Sequence, residues 1–160
     1  MASFEIRTAS RFLQKFRQDR EDFIKSDFLS ERHALNAIIT AYHLIDWVWG
    51  DFAKDRHDLY SQWHISSARD RKKQFEDYLF AVCPALADAR ELTNGTKHFA
   101  DTIETGKHEG AFQRGVFQDD AFDVSYLWIE RSDGRRQQVE DFIRELVDFW
   151  DAFFLEHGIG

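Results

Sequence analysis

The stretch Ala34–Trp49, ALNAIITAYHLIDWVW, is the densest apolar run in the chain, broken only by Asn36, Thr40, His43 and Asp46. Leu35, Ile38, Ile39, Tyr42, Ile45, Trp49 and Phe52 recur at helical spacing, which predicts one broad apolar stripe on a long helix. At about 100° per residue, Asp46 falls beside that stripe and His43 further round. Asn36, His43, Asp46 and Gly50 then form a polar seam flanking the buried face. Burial of a bare carboxylate costs several kcal/mol, so Asp46 requires a partner or access to water.

Such a helix needs others to cover it, and the composition supplies them. A single proline and few glycines suit a mostly helical chain. Phe, Trp and Tyr together number 16, 5 and 4, enough aromatic area for a thick core, a self-association surface, or both. The length fits one domain over residues 1–160, and no repeat or low-complexity linker divides it.

Ala9, Phe12, Leu13, Phe16, Phe23 and Ile24 predict a first helix over about 9–25, capped by Thr8 or Ser10. Ser30 suits the cap of the second helix, which is expected to run to Lys54 or Arg56. Residues 56–66 lack a period and read as a loop holding Tyr60 and Trp63 against the bundle. Ser67-Ala-Arg-Asp70 resembles a capping box for a third helix ending near Val82, with Phe75, Tyr78, Leu79 and Val82 inward. Pro84 suits the first turn of a fourth helix, with Ala85, Ala89, Leu92, Thr96 and Phe99 on one side. Phe122, Val124, Tyr126 and Trp128 then alternate at strand spacing, and Ser132-Asp133-Gly134 reads as a turn. The last helix carries Val139, Phe142, Ile143, Leu146, Phe149, Trp150 and Phe153, and Gly158 ends it. The expected fold is mainly α: a bundle of about five helices with a small β-hairpin insert, about 111–137, before the last.

The formal charge of −8 argues against indiscriminate polyanion binding, so any nucleic-acid site must be local. Arg69, Arg71, Lys72 and Lys73 form the densest basic cluster, either a solvated helix face or a guide for a nucleic-acid backbone. The lone Cys83 excludes an intrachain disulfide and reads as structural. The N-terminal residues lack a signal-peptide apolar run, and the central helix is too short and polar to span a membrane, so a cytoplasmic protein is expected.

Phosphate-cradling glycine loops, nucleophile elbows and Cys-x-x-Cys pairs are missing. Two polar seams remain: His43 with Asp46, and Arg90, Asn94, Lys97 and His98 on the fourth helix. A His set by a carboxylate works as general acid or base near neutral pH, and Lys or Arg beside it holds phosphate.

A compact helical bundle with a polar seam on its long second helix, followed by Asn94-x-x-x-His98, resembles the HEPN superfamily. The resemblance covers about the first hundred residues. It implies a small, often dimeric helical domain. Many members are metal-independent ribonucleases of toxin–antitoxin and phage-defence systems, and others have lost catalysis. Asn94 and His98 match the family motif, while Thr93 stands where its Arg belongs, with Arg90 and Lys97 as candidate replacements. The resemblance implies a homodimer that pairs two His98 residues to activate a ribose 2′-hydroxyl and protonate the leaving oxygen. Asn94, with Lys97 or Arg90, would stabilise the phosphate. It requires no cofactor.

Two other readings stand beside it. His43, Asp46 and His98 make a two-imidazole, one-carboxylate set suited to iron, zinc or manganese. Alternatively, His43 and Asp46 form a hydrogen-bonded pair in a non-catalytic, dimeric interaction module that binds a partner protein.

Overall fold

A computed structural model describes the backbone of residues 5–98, 105–109 and 125–160, and the side chains of these residues outside 96–98, 105–109 and 125–126. Five α-helices appear in order: α1 (Ala9–Lys25), α2 (Glu31–Asp51), α3 (Arg71–Val82), α4 (Pro84–His98) and α5 (Val139–His157). Between α4 and α5 lie β1 (Thr105–Glu109), β2 (Ser125–Glu130) and β3 (Arg136–Gln138). They form an antiparallel sheet in the order β1-β2-β3, with Thr105 opposite Ile129 and Trp128 opposite Gln138. The fold is the mainly α bundle with a small β insert that the periodicities predict. Pairing begins at Thr105, ahead of the expected 111, because β1 contains no apolar residue to mark it. Residues 110–124, with Phe122 and Val124, lie outside the described residues, as does Phe99.

The helix ends follow local chemistry. The Thr8 hydroxyl accepts the Arg11 amide at 3.2 Å, and Asp51 from the far end of α2 accepts the Ala9 amide at 2.9 Å. Both satisfy amides that the first turn of α1 leaves open. Ser30 caps α2 through the His33 amide, and Gly158 closes α5 in the left-handed region at φ 64°.

Two expectations about ends are corrected. Helix α2 stops at Asp51 and gives way to two short 3-10 turns, Ala53–Asp55 and His57–Leu59, so it does not reach Lys54 or Arg56 as α-helix. The Ser67–Asp70 capping box is not made: Asp70 sits at φ 53° and its side chain caps nothing. Gln74 braces the segment before the helix instead. Its Oε1 accepts the Ser66 and Ser67 amides at 3.0 and 3.3 Å, and its Nε2 donates to the Ser67 and Arg69 carbonyls at 3.3 and 2.8 Å.

The buried face of α2 takes only part of the stripe of large residues, Ile38 and Ile45. Ala34, Ala37, Ile38, Thr40, Ala41, Leu44, Ile45 and Val48 are buried, while Leu35, Ile39, Tyr42, Trp49 and Phe52 are half-buried. Small side chains let neighbouring helices approach closely. The buried Trp150 indole of α5 reaches the α2 backbone, donating to the Ala41 carbonyl at 3.0 Å. Thr40 is satisfied across the α1 contact, donating to Asp19 at 2.6 Å and accepting from Lys15 at 2.9 Å. Phe16, Phe23, Phe75, Phe142, Trp63 and Trp150 are fully buried and dominate the core volume. On α3, Phe75 and Leu79 point inward as expected, but Val82 at the helix end is 50% exposed.

A buried ion cluster ties the sheet to the helices. Arg131, just after β2, donates from Nε to Asp88 of α4 at 2.7 Å and from Nη1 to Glu145 of α5 at 2.9 Å. The Ser132 hydroxyl donates to the other Asp88 oxygen at 2.6 Å, and the guanidinium lies over the Phe142 ring. Such a pair is costly to desolvate and very costly to break on one side. It therefore fixes where the β2–β3 turn sits.

Candidate functional site

The polar residues of α2 meet those of α3 and α4 on one face of the bundle. Helix α2 packs against α4, and α3 against α4. Because α4 buries Ala85, Ala89 and Leu92, its Arg90 and Asn94 fall on the outer side, Arg90 half-buried and Asn94 exposed.

Asp46 is the centre of the first group. Its Oδ2 lies 3.3 Å from His43 Nδ1, and its Oδ1 pairs with Lys72 of α3. Burial alone would raise this carboxyl, but the hydrogen bonds from Lys72 and His43 outweigh it and hold Asp46 below the ordinary carboxylate value. The Asp46 and Lys72 side chains are 46% and 48% exposed, so solvent reaches both.

One turn earlier on α2, Tyr42 feels charges of both α3 and α4. Burial, and then the Glu76 and Asp46 carboxylates, push its phenol up, while Arg90 pulls the other way. Arg90 pairs with Glu76 at 3.6 Å and Glu91 at 3.1 Å, and lies over the Phe80 ring at 5.2 Å. The site residues His43, Asp46, Lys72 and Arg90 thus share one face.

The remaining predicted residues fall as follows. Thr93 is buried and donates to the Ala89 carbonyl at 2.8 Å, so the position corresponding to the motif arginine turns into the bundle. The basic cluster splits: Lys72 reaches α2, Lys73 pairs with Asp77 at 2.9 Å, Arg71 lies over Tyr60 at 5.6 Å, and Arg69 is exposed on the Gln74-braced loop. The side chains of Lys97 and His98 lie outside the described residues, and with them the proposed meeting of His98 with His43 and Asp46. Among the described residues, no three or more His, Cys, Asp or Glu side chains are placed to hold a metal ion. Cys83 is buried, and burial pushes its thiol up to about 11, which suits a structural residue.

An open cleft of about 280 Å³ adjoins the face, lined by Arg7, Asp46, Trp47, Gly50 and Asp51. Asp46 and Gly50 belong to the polar seam, but no local pattern joins Arg7 to them, because it comes from the segment before α1.

Among the described residues, no helix is long and apolar enough to cross a membrane. Comparison with protein-family models, with characterised proteins and with solved structures finds no match for this chain.

Proposed function

We propose that this chain is a HEPN-like helical module that contacts RNA through the face built by α2, α3 and α4. One observation carries the reading: polar seams far apart in sequence, His43–Asp46 and Arg90–Asn94, come to one face with Lys72 between helices. Arg90 offers a planar fork for phosphate oxygens, Lys72 a point charge, and Asn94 an exposed amide. Of their present carboxylate partners, Asp46 and Glu91 are 46% and 31% exposed, and Glu76, at 19%, is held at the longer distance of 3.6 Å; such ion pairs are weak enough for phosphate to displace. His98 enters from the sequence alone, as the acid–base group of a metal-independent ribonuclease that pairs two copies of the chain.

The experiment is RNA binding by fluorescence anisotropy, with cleavage of the same labelled RNA followed in EDTA. Binding is expected to weaken in Arg90→Ala and as salt rises. Cleavage that disappears in a folded His98→Ala variant identifies a ribonuclease. Binding without cleavage identifies a catalytically lapsed relative. Folded protein that binds no RNA at low salt overturns the reading.

A second reading is favoured by a different observation: Lys72, Lys73 and Arg90 are each paired with carboxylates of their own chain. A face so neutralised suits a non-catalytic module that binds a partner protein or a second copy. Light scattering on the purified chain, with no RNA bound, separates this reading from the first.

A further inference from the structure

Gly50 lies within α2, one residue before its end, at a backbone angle any residue adopts. A Cβ built there meets nothing within 4 Å. Neither conformation nor packing therefore calls for glycine, which weakens a helix relative to alanine. What a side chain at position 50 would occupy is the cleft lined by Arg7, Asp46, Trp47 and Asp51.

Its walls have a definite chemistry. The Trp47 indole is stacked on Phe12, with centroids 5.0 Å apart and planes at 20°, so the ring is held in place and remains half-buried. Asp51 Oδ2 accepts the Ala9 amide, and among the described residues Oδ1 makes no hydrogen bond. An ionised carboxylate only accepts, and each oxygen has room for more than one hydrogen bond. Arg7, an exposed residue at the cleft's edge, carries a guanidinium of the kind that pairs with phosphate. At about 280 Å³ the cleft is at the small end of ligand sites, which run from about 300 Å³ upward.

We propose that this cleft binds one unstacked guanine nucleotide, with the base beside Trp47, its adjacent N1–H and N2–H donors on Asp51, and its phosphate on Arg7. The acceptor-only edge selects guanine, because adenine and cytosine each offer an acceptor next to their amino group. Asp46 joins the cleft to the polar face, so a guanine held here places the following RNA backbone toward Lys72 and Arg90. The proposal rests on the RNA reading and gives it a base preference.

The test is a tryptophan-fluorescence titration with guanosine 5′-monophosphate, alongside anisotropy with guanine-containing and guanine-free RNA. Gly50→Leu fills the cleft with a good helix former and is expected to fold as the parent does by circular dichroism. Base stacking of this kind sets the expected loss of guanosine monophosphate affinity at about tenfold or more. Arg7→Ala is expected to weaken the monophosphate more than guanosine. Parent-like affinity in Gly50→Leu, or no binding by the parent, overturns the proposal. Guanine-free RNA that still binds in the same experiment leaves the RNA reading standing when the cleft fails; loss of all RNA binding overturns that reading instead.

Discussion

Asp88 with Arg131 and Asp46 with Lys72 are the same chemistry in two settings. The first pair is 3% and 2% exposed, the second 46% and 48%. Asp88 spends both oxygens on Arg131 and Ser132, and Arg131 is held further by Gln137 and Glu145. Every group there is committed to holding the sheet against α4 and α5. Asp46 and Lys72 sit in water, where an ion pair contributes little and its members remain free to take another partner. Burial thus separates a structural ion pair from one available for binding.

The largest effect should come from breaking the buried pair on one side. Arg131→Ala is expected to destabilise by about 3–5 kcal/mol in urea unfolding, since it leaves the buried Asp88 carboxylate without a cation, and Asp88→Ala by less, since Arg131 keeps Glu145. Replacing both by apolar residues should restore much of that loss. Cys83 provides a local reporter, because its raised thiol feels both Glu145 and Arg131. It should react slowly with a thiol reagent in the parent and faster in Asp88→Ala.

Next in size is the close α2–α5 contact. Ala41→Leu is expected to cost about 1–3 kcal/mol by overpacking against α5. A shift in the Trp150 emission would show the loss of its bond to the Ala41 carbonyl.

The exposed pair should give the smallest change. Lys72→Ala is expected to cost under about 1 kcal/mol. Its pH dependence has a definite sign. Asp46 is held below its ordinary value, so its contribution is present above about pH 4 and is lost as pH falls through the lower folded value. Asp46→Asn should remove that part of the acid transition. A cost for Lys72→Ala equal to that for Arg131→Ala would break the contrast between the pairs.

Much of this fold is legible in the sequence where periodicity and cap chemistry agree. Helix α1 starts behind Thr8 and α5 ends at Gly158, as expected. On the inner face of α2, Ile38 and Ile45 of the apolar stripe are buried, but hydrophobic size as a guide passes over Ala34, Ala37 and Ala41, which are buried with them. Strand β1, Thr-Gly-Lys-His-Glu, has no apolar alternation to reveal it. The Asp88–Arg131 pair joins residues far apart in the chain, although a signal existed: Asp88 shares the helical phase of Ala85, Ala89 and Leu92, and Arg131 the strand phase of Leu127 and Ile129. On the candidate site, His43, Asp46 and Arg90 were legible as seam residues. The link through Lys72, and the cleft beside Gly50, depend on tertiary placement that no local pattern encodes.

The brace at Gln74 has a consequence for engineering. One amide group clasps the segment leading into α3, and none of its four bonds draws on the hydrophobic interior. Trimming it to alanine should let Arg69 and its neighbours swing while the five helices keep their arrangement. The presentation of the basic segment can thus be tuned independently of the scaffold that carries it.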